Sequence, residues 1–356
     1  MKNLLKKTIL FLNLIFVVGL LISYIAPHVS PAKFWLPAFF GLAYPYLLVI
    51  NILFSFFWIL TKPKYALLSI VCIVIGFSFI SHYIQFGQKK IPPKGMKILT
   101  YNSQYFISYF KQKDKKNVEI IDFLKSQEAD IICLQEMKHR NYGPLSSKSI
   151  KSELPGIKHY QLAHASKWSG PITFSKFPII NMGELRFKNT SNMIIFSDIK
   201  VNTDTIRVYN CHLESYRIRP QDYSIIDSIQ LDQKAKQLQE VKSIGAKLKG
   251  AFIKRTIQTT KLKEHISDSP YPVIVCGDFN DTPLSFTYNE MTEYLKDSFI
   301  ESGSGISVTY KGALPNYRID YIFHSKEFEA SGYNRLKVDY SDHYPVTCFL
   351  NLKEKS

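Results

Sequence analysis

Apolar runs of strand length in this 356-residue chain repeatedly end in residues that can carry a proton or hold a cation. Val273-Ile274-Val275-Cys276 runs into Gly277-Asp278-Phe279-Asn280-Asp281-Thr282-Pro283. Side chains two apart on an extended segment face the same way, so Asp278 and Asn280 can share one pocket. A carboxylate beside an amide pairs a group that accepts a proton or a metal with one that only positions. The pattern recurs. Ile131-Ile132-Cys133-Leu134-Gln135 ends in Glu136, Leu99-Thr100-Tyr101 ends at Asn102, and Ile206-Arg207-Val208-Tyr209 leads to Asn210-Cys211-His212. Asp320 lies inside Arg318-Ile319-Asp320-Tyr321-Ile322, and Ser341-Asp342-His343 precedes Tyr344-Pro345-Val346. Each case alone is ordinary turn chemistry or a structural histidine. Together the carboxylates, amides and imidazoles suit a hard divalent cation plus acid–base groups, and they lack the Cys-rich or His-Glu-x-x-His spacing of zinc sites.

The elements that must position these ends begin at Met96. Strands are expected over 97–101, 131–135, 172–175, 194–199, 205–210, 273–276, 319–323 and 346–350, with an amphipathic helix over about 116–127. This predicts one α/β domain over 96–356 with its strands in two sheets. The stretch 221–267 is helical in period and rich in lysine; it reads either as a solvated face or as a phosphate-binding surface. Cys72, Cys133, Cys211, Cys276 and Cys348 show no metal spacing and are expected to be small buried thiols.

Residues 1–95 differ in kind. They hold no Asp or Glu and nine of the chain's lysines, so 16 − 9 leaves a net charge of about +7 for the remainder. Much of the basicity therefore flanks apolar segments and argues little for nucleic acid. Three apolar stretches, about 9–26, 36–60 and 66–86, are each long enough to cross a bilayer, and residues 1–87 are expected to form a three-helix membrane anchor. A cleaved signal peptide is the rival reading for residues 1–26, but the run is long and no Ala-x-Ala site follows. Residues 88–95, with Pro92-Pro93, read as a short stiff linker. Lys2, Lys6, Lys7, Lys62 and Lys64 set the cytoplasmic side, and three spans then carry the domain outside it, although Lys89, Lys90 and Lys94 pull the other way.

The motifs at the strand ends, in their order along the chain, resemble those of the endonuclease/exonuclease/phosphatase superfamily, the DNase-I-like fold. The resemblance covers 96–352 and rests on Tyr101-Asn102, Leu134-Gln135-Glu136, the run 210–215, the run 277–283, the run 318–322 and Ser341-Asp342-His343. It implies an α/β four-layer αββα sandwich with the site at the sheet ends. It also implies roles. Glu136 would be the principal ligand of magnesium, or of manganese in its place, helped by Asn102 and Asp342. Asp278 would align or deprotonate the attacking water, and Asn280 would hold that water or the phosphate. His343 needs a partner distant in sequence, and Asp320 would hydrogen-bond it. His212 would contact a phosphate oxygen or protonate the leaving oxygen; which group acts as base stays open.

The superfamily does not select a substrate. Gln104 stands where apurinic-site endonucleases carry Asp or Asn, and His212 has no counterpart there. The sequence thus leads to an anchored phosphodiesterase of nuclease type, with a lipid or soluble-phosphate phosphoesterase as the alternative and a silent binding protein as the third reading. The implied partners are a phosphoester substrate, nucleic acid or phospholipid, and the bilayer; no protein partner is inferred.

Overall fold

A computed structural model describes residues 2–86, 93–106, 117–139, 142–143, 145–217, 234–312 and 315–354. The first part of the linker with Lys89 and Lys90, and the first part of the lysine-rich stretch, 221–233, lie outside the described residues. At the N-terminus, α1 (Lys2–Ile25) and α2 (Leu36–Thr61) are long and apolar enough to cross a membrane. The third expected span is not one long helix: α3 (Pro63–Ile75) breaks at Gly76 and is followed by the single turn α4 (Phe77–Ile80). The Tyr24 ring packs 2.1 Å from where a Gly76 Cβ would stand, so glycine at the break leaves room for an aromatic ring that a Cβ would meet.

This bundle has polar groups inside and apolar groups outside. Asn13 donates to Ser69 Oγ (2.7 Å), Ser69 to Asn51 Oδ1 (3.0 Å) and Trp58 to Asn13 Oδ1 (3.0 Å), all buried. Leu53, Phe56, Leu60 and Val74 lie exposed on its surface. Hydrogen bonds between helices with apolar residues facing outward are how helices associate in lipid.

The remainder is two stacked six-stranded sheets. One has the order β10-β12-β9-β8-β7-β6, formed by Lys296–Asp297, Asp320–His324, Val273–Asp278, Asp204–His212, Met193–Val201 and Ile179–Arg186. The other is β13-β14-β2-β3-β5-β4, formed by Phe328–Arg335, Val346–Leu352, Met96–Asn102, Ile131–Lys138, Ser169–Ser175 and His159–Leu162. A two-residue strand, β1 (Ile84–Gln85), pairs with β11 (Gly305–Ile306) and ties the bundle to the domain. Between the sheets lie Ile98, Cys133, Val208, Ile274, Cys276, Ile322 and Cys348. Outside the second sheet pack α5 (Asn117–Ser126) and α6 (Ser147–Glu153); outside the first pack α7 (Lys234–Ser267) and α8 (Phe286–Thr292). The result is the expected αββα sandwich. All five cysteines are free and buried.

The sheets are also joined by polar contacts. Gln135 donates to Asn210 Oδ1 (2.8 Å), while Asn210 donates to the carbonyl of Ile172 (3.0 Å) across the interface. Asn210, a candidate from its spacing two before His212, is therefore a sheet-to-sheet clamp and lies outside the site.

At the edge of the first sheet, the short helix α9 (Ser298–Ser302) carries Glu301, whose carboxylate faces His324 Nε2 at 3.0 Å and Lys296 Nζ at 2.8 Å. Burial pushes this carboxyl up, but His324 and Lys296 outweigh it and hold it at about 2, below its ordinary 4.5. A carboxyl held down in the fold stabilises it above the ordinary value and loses that contribution as pH falls toward about 2. Glu301→Gln is expected to cost about 1–2 kcal/mol near neutral pH and clearly less near pH 3. Thermal unfolding of the detergent-solubilised chain at the two pH values checks this, and an equal cost at both would refute it.

Candidate active site

Strand register brings the chemistry together. Parallel pairing of β8 and β9 sets His212 opposite Asp278, and antiparallel pairing of β12 and β9 sets Asp320 opposite Asp278. Three titratable side chains thus stand in one row across three neighbouring strands, at the same end of the sheet. From the other sheet, β2 ends at Asn102, in register with Gln135. On β3 the pairing with β5 slips by one residue between Leu134 and Met137, a β-bulge, and Glu136 takes a positive φ of 49°. Such a bulge re-aims a side chain at a strand end. Simple alternation would have turned Glu136 away from the sheet interface that Gln135 faces.

His343 sits in the loop before β14, its backbone N–H held by Ser341 Oγ (3.2 Å), which itself donates to the Asn102 carbonyl (2.8 Å). Its Nδ1 lies 2.9 Å from Asp320 Oδ2, and its Nε2 lies 3.8 Å from Asp278 Oδ2. Asp278 Oδ2 accepts from Asn102 Nδ2 (2.8 Å) and Asn280 Nδ2 (3.0 Å), and its Oδ1 accepts from the Asn280 N–H (2.8 Å). His212 Nε2 is 3.3 Å from Glu136 Oε1 and 3.9 Å from Asp278 Oδ2. Gln104 donates to Asp342 Oδ2 (2.8 Å). Six of the eight candidates, Asn102, Glu136, Asp278, Asn280, Asp342 and His343, line one cavity of about 180 Å3. His212 lines an adjoining cavity of about 110 Å3 that shares Glu136, Ser215 and Arg217 with the first. Asp320 lines neither cavity and meets the site through His343, its carboxylate also lying within 4.8 Å of that of Asp278.

Electrostatics follow from burial and these neighbours. Burial alone would push the His343 imidazole down, but the carboxylates of Asp320 and Asp278 outweigh it and hold it well above its ordinary value. Burial pushes the Asp278 carboxyl up, against the pull of His343 and His212. It pushes His212 down and Glu136 up. Ligand-type atoms of Asp278, Asp320 and His343 lie within 4.8 Å of one another, so the site can offer acidic and imidazole donors to a divalent ion. His343 Nδ1 and Asp320 already serve each other, however. The oxygens of Glu136, Asn102 and Asp342 make a harder donor set.

Several residues around the site were given no role in the sequence reading. Arg217 borders both cavities, with Nη2 3.2 Å from Glu214 Oε1. The Tyr310 ring stands edge-on to His343 at 5.2 Å. Arg318 is buried, donating to Asp297 Oδ2 (2.7 Å) and to the His82 carbonyl (2.8 Å). Gly277 has φ +136°, and a Cβ there would stand 2.0 Å from the Cys211 carbonyl oxygen. Only glycine lets β9 approach β8 closely enough to set Asp278 against His212. Gly277→Ala is expected to cost about 1–3 kcal/mol from backbone strain alone and to reduce turnover by displacing Asp278; wild-type melting and turnover in the variant would contradict this. Arg217 and Tyr310 offered no strand-end signal, whereas Gly277 did, standing directly before the site carboxylate.

A model described as the endonuclease/exonuclease/phosphatase family matches residues 99–343, more than half of the chain, and residues 6–83 match a domain of unknown function (DUF8431). Among curated proteins, protein angel homolog 2 of Bos taurus is 27% identical over 189 residues, covering 49% of this chain. The Homo sapiens protein of the same name is 26% identical over 189 residues. The chain spans only 30% of the length of these relatives. A solved mannosyl-6-phosphatase from Bacteroides thetaiotaomicron VPI-5482 has a TM-score of 0.52 at 18% identity, covering 72% of this chain and 100% of that one. An endonuclease/exonuclease/phosphatase from Beutenbergia cavernae DSM 12333 has a TM-score of 0.50 at 15% identity, covering 72% of each chain. At such identities the structural likeness is one of fold, and it is the match over 99–343 that assigns the chain. This protein belongs to the endonuclease/exonuclease/phosphatase family.

Proposed function

We propose that this chain is a bilayer-anchored, metal-assisted phosphoester hydrolase whose domain lies outside the cytoplasm. The observation that carries the reading is the convergence of Asp278, Asn280, His343, Asn102 and Glu136 from two sheets on one cavity, with Asp320 behind His343. Asp278 takes the proton of the attacking water, and Asn280 steadies that water. His343, kept cationic by Asp320, faces the charge that grows on the phosphoryl oxygens. His212 serves the leaving oxygen from the other side. Glu136, with Asn102 and Asp342, would hold magnesium or manganese. When bound, that ion supplies Lewis-acid stabilisation of phosphoryl charge.

Between the substrate classes left open by the sequence, the geometry favours a compact phosphoester presented at a bilayer over a nucleic acid. Tyr317, on the cavity wall, donates to the Leu42 carbonyl of α2 (3.0 Å). Leu284, just after the 277–283 run, packs in the core of the helix bundle beside Leu20, Tyr44 and Leu47. With 26 residues, α2 spans about 39 Å against a hydrocarbon core of about 30 Å, so its first turns stand at headgroup height together with the cavity rim. Three lysines in the second half of the lysine-rich stretch are engaged locally: Lys263 with Glu290 and Glu293, Lys254 with Glu214, and Lys261 with the Arg186 carbonyl. The name of the mannosyl-6-phosphatase with the same fold also fits a small monoester.

The test is a substrate panel on the full chain in lipid nanodiscs: headgroup-labelled phospholipid, soluble sugar phosphate and plasmid DNA, with millimolar magnesium and with excess chelator. Magnesium-dependent release from lipid or sugar phosphate, with DNA left intact, is expected. Cleavage of DNA alone would return the nuclease reading, and no hydrolysis of any kind would remove the enzymatic one.

A further inference from the structure

We propose that the first half of α7 lies along the bilayer surface as an amphipathic helix that binds anionic lipid. The proposal rests on the anchoring of α1 and α2 in a bilayer. Leu248, Ala251 and Phe252 of α7 meet Ala38, Phe39 and Leu42 of α2, with the Phe39 and Phe252 rings 5.2 Å apart. Lys249 Nζ lies 4.8 Å over the Trp35 ring, just before α2 begins. The meeting is confined to about one turn of each helix, so the two cross. A helix that meets a bilayer-spanning one over a single turn near its end is free to run along the membrane surface.

The apolar stripe of α7 continues past this contact. At about 100° per residue, Leu238, Val241, Leu248 and Phe252 fall within an arc of about 80°. Leu248 and Phe252 are covered by α2, whereas Leu238 and Val241 are 57% and 60% exposed. Lys242 and Lys249 border the stripe, placed for their stems to lie on apolar surface and their charges to reach headgroups. From Lys234 to Gly250 the sequence holds five lysines against one acid, Glu240. It also holds Gly245 and Gly250, each with nothing within 4 Å of a would-be Cβ. Two glycines weaken a helix that has few neighbours to hold it. An apolar stripe continuous with an existing contact, edged by lysine, on a helix short of intrinsic propensity, fits an anionic membrane surface.

The full chain, spin-labelled at single introduced cysteines and reconstituted in nanodiscs containing phosphatidylglycerol, tests this; the natural cysteines are all buried and stay unlabelled. A label at Val241→Cys should be open to oxygen and shielded from a water-soluble nickel chelate. A label at Gln239→Cys, on the opposite arc, should be open to the chelate. Equal chelate access at both positions overturns the proposal. Spin–spin broadening at position 241 would assign the stripe to a second copy of the chain and overturn it too. In the double variant Lys242→Glu, Lys249→Glu, the label at 241 should become chelate-accessible, and unchanged shielding overturns the anionic-lipid assignment. A label at Val49→Cys, on the exposed middle of α2, reports the anchor separately, so chelate access there would mean that the anchoring reading itself has failed.

Discussion

Asp278→Asn is expected to lower turnover by about 10²- to 10⁴-fold, the range that a positioned acid–base group contributes, in a chain that still folds. The carboxylate sits where two β ladders meet, with His212 and Asp320 as its register partners. It accepts from Asn102 and Asn280 on one oxygen and from the Asn280 backbone on the other. An amide has the same shape but cannot take a proton from water. Whichever way it is turned, its NH2 faces a donor, so a stability loss of about 1–3 kcal/mol accompanies the catalytic loss. Turnover and melting therefore have to be measured on the same preparation. A variant that melts a few degrees lower and is all but inactive fits the proposed role; a variant within a few-fold of wild-type turnover would remove Asp278 from the chemistry.

How much of this was legible in sequence depended on how local the cause was. The eight expected strands fall within or largely overlap observed ones, because short apolar β-branched runs are a local signal. β4, β6 and β13 are edge strands with half-buried, exposed or glycine-containing patterns, and no continuous apolar run marked them. Asp278 and Asn280 could be paired from their spacing alone. The aim of Glu136 could not, because it depends on a bulge between β3 and β5. Asn210 misled because an amide at a strand end reads the same whether it faces a cavity or a neighbouring sheet. The third apolar stretch is long enough to span, but the helix breaks at Gly76, where the Tyr24 ring from another helix fills the space a Cβ would take. Most hidden of all was the contact between the N-terminal helix bundle and the domain. Gly41 passes so near the Leu284 carbonyl that a Cβ would lie 2.4 Å from it, and nothing in either segment announces the other.

The pairing of Asp320 with His343 leads to the second large effect. Asp320 does not line the cavity, and its hydrogen-bonded route to it is the imidazole, with Oδ2 2.9 Å from Nδ1. Holding Nδ1–H fixes the tautomer and orientation of the ring and stabilises its charged form. Asp320→Asn can still offer an amide oxygen to Nδ1–H, but the negative charge is gone. The amide NH2 would then occupy the place of Oδ1, which is buried and without a hydrogen-bond partner among the described residues. Turnover is expected to fall by about 10²- to 10³-fold, with KM little changed because the residue does not reach substrate. His343→Ala should fall at least as far. The double variant decides between a relay and two independent roles. If Asp320 works only by holding His343, the combined loss should equal that of His343→Ala alone, since a partner cannot position a ring that is absent. Losses that multiply would mean that Asp320 acts on the cavity directly, through its contact with the β9 strand that carries Asp278, and would sever the relay.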